Sequence, residues 1–232
     1  MKAILRAPHH FEALVSKNCL LPQSSSRIST TGHSFIQQRT FLPNPFGSST
    51  QNLAASRVLP YPSKAVYQVI TDVASYKHFI PYCLASEVLK YSNPTDDGKR
   101  WPEEAKLLIG FSGDVSETFW SRVYCVPETI VETVAGSTET SLPADQIKHH
   151  NPRLPAGQDP VRKGNVMKHL STKWTLRPRT LSGQEATEIH LKINYEFANP
   201  VYSALSAAAS SKVADKMIEA FEKRVKVMVT QT

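Results

Sequence analysis

The sequence predicts an α+β domain in which a curved antiparallel sheet wraps around one long C-terminal helix. Two observations carry that expectation. Residues 187–197 (TEIHLKINYEF) alternate strictly, with Ile189, Leu191, Ile193, Tyr195 and Phe197 on one face. His190, Lys192, Asn194 and Glu196 fall on the other, the pattern of an antiparallel strand with one wet side. In residues 200–229, Leu205, Ala209, Val213, Met217, Phe221 and Val225 recur every four residues, the stripe of an amphipathic helix.

The remaining elements follow in order. Residues 53–59 (LAASRVL) predict a strand that Pro60 and Pro62 stop. Ser63 is a candidate N-cap for a helix carrying Val66, Val69, Ile70 and Val73 at helical spacing. A second short helix around SYKHF ends before Pro81. Strands are expected at 83–91 and at 104–111, where Ala105, Leu107, Ile109 and Phe111 share a face. Further strands are expected at 114–126, 129–136 and 167–176, the last placing Leu170, Thr172, Trp174 and Leu176 together. Residues 138–165 hold Pro143, Pro152, Pro155 and Pro160 with little apolar pattern, and predict a flexible insertion. Asn199 and Pro200 suit the start of the terminal helix, and Lys223, Arg224 and Lys226 suit its C-terminal end. One helix lying across a strongly curved sheet is the helix-grip arrangement, which leaves room for an apolar cavity between the two.

Charge is unevenly placed. Of 27 basic and 20 acidic residues, five basic and one acidic lie in residues 1–50. The body, 51–232, therefore holds 22 against 19 and offers little support for nucleic-acid binding. Residues 1–50 are rich in Ser, Thr and Arg, poor in acid, and start with a segment able to form a short basic amphipathic helix, the composition of a mitochondrial transit peptide or a disordered tail. No apolar run reaches the roughly 18–20 residues that a spanning helix needs. Cys19, Cys83 and Cys125 form no CxxC pair and no zinc spacing. Catalytic motifs are poor: GFSG (110–113) is not a nucleophile elbow, and there is no HExxH or phosphate loop. His149, His150 and His190 read as surface histidines, so neither catalytic residues nor a metal site are expected.

Several stretches resemble the mitochondrial coenzyme Q-binding family of the START-like, polyketide cyclase-like superfamily. They are RVLPYPSKAVYQVITDVASYKHFIPYCLAS (57–86), FSGDVSETFWSRV (111–123), YEFANPVYSAL (195–205) and KVADKMIEAFEKR (212–224). The resemblance implies a START-like lipid-binding domain over 51–232. It also implies a lipid carrier that binds ubiquinone without being an enzyme, on the matrix side of the mitochondrial inner membrane. There it would support respiration and quinone synthesis, with quinone-synthesis or respiratory complexes as partners. Coenzyme Q is the bound ligand in this reading, and no other cofactor is implied. A quinone with an isoprenoid tail needs mostly apolar walls and one or two hydrogen-bond donors.

Phe79, Trp120, Trp174, Tyr195, Leu205, Val213 and Met217 are the candidate wall residues, each of which could equally be ordinary core. Lys77, Phe79, Ile80 and Tyr82 are the candidate membrane contact, a basic and apolar tip that could equally be a buried turn. Two other readings fit the same fold: a cyclase-like enzyme, which would need titratable groups converging in the cavity, and a ribosome-associated interaction module, which would show a filled cavity.

Overall fold

Seven strands run antiparallel in the sheet of the computed structural model: β1 (Gln51–Leu59), β2 (Cys83–Tyr91), β3 (Pro102–Gly110), β4 (Ser116–Val126), β5 (Ile130–Gly136), β6 (Met167–Leu181) and β7 (Gln184–Phe197). Their order is β1-β7-β6-β5-β4-β3-β2. Helix α1 (Ser63–Thr71) and a 3₁₀ turn (Val73–His78) follow β1, and helix α2 (Val213–Thr230) closes the described chain. The structure describes residues 50–110, 116–155, 157–159, 161, 166–199 and 213–230. The expected targeting segment, all but Thr50 of residues 1–50, lies outside them, as do Leu205 and the expected start of the terminal helix at Pro200.

The expected element order holds, with differences at the ends. The β6–β7 hairpin runs to Leu181 and turns at Ser182 and Gly183, both at positive φ. Its tip, Thr180 and Leu181 opposite Glu185 and Gln184, pairs only within the hairpin and is exposed on both strands, so no burial pattern marks it. Ser63 does not cap α1. Pro62 occupies the boundary, its carbonyl accepting from the Ala65 and Val66 N–H groups, while the Ser63 hydroxyl bonds Thr187 at 3.1 Å.

Register decides which side chains share a face, because strand side chains alternate. One row crosses the sheet through Ala55, Leu191, Trp174, Val131 and Cys125. These residues belong to the main core or pack against it, together with α1 and α2, which defines the inner face. The opposite, outer face carries a small second core of Tyr124, Val134 and Leu142, with Val126, Ile130 and Ile147 against it.

That second core exists because the β5–β6 connection folds back over the sheet. The described part of 138–165 is tied down by polar contacts rather than by apolar pattern. Buried Glu132 accepts from the Ser141 N–H at 2.9 Å, the Ser141 hydroxyl at 2.5 Å and the Thr140 hydroxyl. Arg153 donates to Asp159 at 2.5 Å and to the carbonyls of Thr138 and Gly136. Gly136 itself has φ +63, and a Cβ there would collide with the Lys168 carbonyl.

His150 corrects the surface reading. It is buried, and its Nε2 accepts the Cys125 N–H at 2.9 Å. Beside it, buried Glu103 accepts from the Asn151 N–H at 2.8 Å and from Lys90 at 3.1 Å, with Arg122 at 3.4 Å.

This cluster predicts acid sensitivity. Burial, with His149 adjoining, pushes the His150 pKa down to about 4. Burial acts upward on Glu103, but the Asn151 and Lys90 donors and the Arg122 charge outweigh it and hold the carboxyl below its ordinary range. Both groups bind protons more weakly folded than unfolded, so their contribution is full at neutral pH and is lost on acidification. For His150 the loss runs from its ordinary value near 6.5 down to about 4 and amounts to up to about 3 kcal/mol. Urea unfolding at pH 7 and pH 4.5 should show that loss, and His150→Gln should lower stability at pH 7 while narrowing it. A pH-independent wild-type midpoint contradicts this account.

Candidate functional site

The site is built where α2 meets the inner face. Ala214, Ile218, Phe221 and Val225 form the buried stripe of α2. Phe221 and Val225 are where the sequence placed them, while Ala214 and Ile218 take the inward positions expected of Val213 and Met217, because a strict four-residue repeat drifts around a helix of about 3.6 residues per turn. Phe221 anchors it. Its ring sits 4.8 Å from Trp174, 5.2 Å from Phe79 and 5.4 Å from Tyr76, all edge-on, the preferred aromatic geometry. Arg57 of β1 meets Glu222 of α2 at 2.7 Å and fixes the helix along the β1–β7 side of the sheet.

The other side of the inner face is different in kind. Next to the filled row lies a row running through Leu53, Ile193, Thr172, Thr133 and Val123. Thr172 and Thr133 stand at its centre and are only half-buried. Beyond them lie the small side chains of Ala135, Ser121 and Ala105, then half-buried Leu107 and Ile109. A sheet sealed by its helix is most deeply buried at the centre. Here Thr133, Thr172, Leu107 and Ile109 keep partial exposure among the small side chains, and none of these inner-face residues is charged. The middle of the inner face is thus apolar with a few hydroxyls, a makeup that suits a neutral greasy ligand.

The candidate wall residues divide accordingly. Phe79 and Trp174 join Phe221, and Met217 packs against the same core. Tyr195 lies on the inner face with Phe197 at 5.6 Å. Val213, at the described start of α2, is 36% exposed. Trp120 is a correction. It pairs with Lys106 on the outer face, where the Lys106 ammonium lies 5.5 Å from its ring centre, and Phe119 takes the inward position instead. Leu205 is outside the described residues.

The candidate membrane tip is also revised. Ile80 is buried in the core and Phe79 turns inward onto Phe221, so neither is free to enter a bilayer. Lys77 is exposed, and Tyr82 is 68% exposed at a positive φ of 65. Leu84, which sequence reasoning did not single out, is 59% exposed beside it. Between this tip and α2 runs a groove of about 370 Å³, lined by Phe79, Pro81, Tyr82, Lys216, Glu219, Ala220 and Lys223.

Three titratable groups of the main core and its edge, Cys125, Tyr67 and Tyr76, are held protonated. Burial pushes the Cys125 thiol up to about 12 and the Tyr67 and Tyr76 hydroxyls well above their ordinary value. Such groups are poor nucleophiles and poor acids at neutral pH. Among the described residues, no group of three His, Cys, Asp or Glu side chains could hold a metal.

Residues 59–222 match the family model described as "Polyketide cyclase / dehydrase and lipid transport". The chain belongs to this family. It is 30% identical over 213 residues to the Coenzyme Q-binding protein COQ10, mitochondrial, of Eremothecium gossypii, covering 91% of this chain and 89% of that one. It is 25% identical over 175 residues to the ribosome association toxin RatA of Pseudomonas aeruginosa, covering 75% and 95%. Among solved structures, the aromatase/cyclase Zhui from Streptomyces sp. R1128 superposes with a TM-score of 0.51 at 15% identity, over 78% of this chain and 96% of that one. That structural likeness shows the START-like helix-grip fold and nothing of the chemistry.

The two tryptophans on opposite faces, with Phe221, give a test. Phe221→Ala should cost about 3–5 kcal/mol, because it empties the aromatic cluster. Trp120→Ala should cost at most about 1 kcal/mol, as expected for a cation–π contact on a half-exposed face. Denaturant melts of both variants measure this, and equal losses would contradict the face assignment.

Proposed function

We propose that this chain binds coenzyme Q (ubiquinone) in the chamber between the inner face and α2, and carries it at the mitochondrial inner membrane in support of respiration and quinone synthesis. The observation that carries the reading is the half-buried centre of the inner face at Thr133 and Thr172. It occurs in a chain 30% identical to a protein named as coenzyme Q-binding. Each isoprenoid CH₂ withdrawn from water contributes about 0.8 kcal/mol, so partial enclosure of the tail holds the ligand firmly. The role is that of a carrier and not of an enzyme: the buried Cys125, Tyr67 and Tyr76 stay protonated and are poor agents of acid–base work. Residues 1–50 act as a mitochondrial transit peptide in this reading, consistent with their basic, acid-poor composition.

Protein isolated from mitochondria of its own source and extracted with organic solvent should release ubiquinone, and the intact mass of the same sample should lack the N-terminal segment. Empty protein with turnover of a polyketide-like substrate would favour a cyclase, and empty protein that captures ribosomes would favour the interaction module. An uncut Met1 terminus would overturn the transit-peptide reading.

Membrane contact in this proposal falls on Tyr82 and Leu84, flanked by Lys77, Lys216 and Lys223. Each lysine near an anionic surface contributes about 1 kcal/mol. Tyr82→Asn with Leu84→Ser should reduce flotation with cardiolipin-containing vesicles several-fold at an unchanged melting temperature, since Asn tolerates positive φ. Undiminished flotation of the folded variant contradicts this contact.

A further inference from the structure

Three hydroxyls on the inner face lack the partners that the rest of the structure supplies. Thr133 and Thr172 oppose each other across β5 and β6, between Val123 and Ile193. Ser121 lies one row away on β4, opposite Ala105. Elsewhere the part-buried hydroxyls of Ser63, Ser86, Thr140 and Thr187 all hydrogen-bond to protein groups. Among the described residues, Ser121, Thr133 and Thr172 make no side-chain hydrogen bond. Nor is any of the three oxygens a fully enclosed, unpaired polar atom, so each remains open to a partner.

Threonine suits a strand, but strand propensity does not explain three unpaired hydroxyls together at the centre of an apolar face. Valine would pack as well and leave no polar atom behind. Water can meet these hydroxyls while the face is empty, but a ligand that excludes that water must supply acceptors in its place or leave the hydroxyls unpaired at a cost. The ligand group must be neutral. The row from Leu53 to Val123 carries no charged side chain, nor do Tyr195, Leu170 and Ala135 beside it. A phosphate or carboxylate there would meet no counter-charge from these rows of described residues. Around the hydroxyls, Val123, Ile193 and Ala105 offer flat apolar contact of the kind a ring presents its faces to.

We propose that Ser121, Thr133 and Thr172 form the head-group subsite of the chamber, donating to the carbonyl and ether oxygens of a neutral ring, with the tail running toward Leu107 and Ile109. This rests on the ubiquinone reading and adds to it the residues that recognise the ring. The subsite is selective for an uncharged, acceptor-rich head over a bare hydrocarbon or an anionic one. Because a hydroxyl both donates and accepts, the oxidised and reduced forms of the ring both fit.

The test compares two ligands on the full chain: ubiquinone and squalene, an isoprenoid hydrocarbon without a ring. Removing all three hydroxyls while nearly keeping their shape (Ser121→Ala, Thr133→Val, Thr172→Val) should weaken ubiquinone about a hundred-fold, at about five-fold per hydrogen bond. Squalene affinity should stay within about two-fold. Thr172→Ser, which restores one donor, should recover about five-fold, a readout that a merely structural role would not move. If the triple variant melts early, the single Thr172→Val and Thr172→Ser variants carry the same comparison. Ubiquinone binding unchanged by the substitutions, or equal losses for both ligands, overturns the subsite and leaves the carrier reading standing. A wild-type protein that binds neither ligand overturns both.

Discussion

Seven strands spaced about 4.8 Å apart make a face about 29 Å across, while a helix with its side chains is about 10–12 Å thick. A single helix therefore leaves most of such a face uncovered, and the protein must fill, cover or use what remains. α2 settles on the β1–β7 side, held by Phe221 among Trp174, Phe79 and Tyr76 and by the Arg57–Glu222 pair. α1 occupies the end of the sheet near Leu59 and Thr187. Across β3–β6 the middle of the inner face carries the small side chains of Ala105 and Ala135, half-buried Leu107 and Ile109, and the hydroxyls of Ser121, Thr133 and Thr172. The choice of where the helix is anchored thus sets where a ligand can go.

The outer face solves the converse problem. A wet face needs no cover, yet β4 and β5 carry Tyr124, Val126, Ile130 and Val134 there. The β5–β6 connection covers them, and because it has few apolar residues it is held by charge and hydrogen bonding at Glu132, Arg153, Glu103 and His150. This arrangement stiffens the strands that form the chamber floor from behind.

Much of this was legible in the sequence, and the failures have a common cause. β7 shows one wet and one dry face, so period two revealed it from Thr187 to Phe197, though not the first three residues that pair only within the hairpin. β4 has apolar residues on both faces, Phe119 and Val123 inward and Trp120 and Tyr124 outward. No alternation survives there to say which way Trp120 points. The covering segment itself, 138–155, is anchored by residues whose partners are distant in sequence, such as Asn151 on Glu103, and reads as loose when taken alone. The hydroxyls were invisible for a related reason. Thr133 and Thr172 look like ordinary strand residues until register places them together at the centre of the sheet.

Accessibility at the middle of the inner face tests the central claim most directly. A Thr172→Cys variant, treated with a small apolar thiol reagent, reports whether that position is open in the folded protein. Cys125, fully buried on the same face, serves as the internal reference. Labelling at position 172 much faster than at Cys125, and suppressed by saturating ubiquinone, is the expected result. Labelling at 172 no faster than at Cys125, occurring only as the protein unfolds, would mean that helix and sheet are sealed and that no chamber exists.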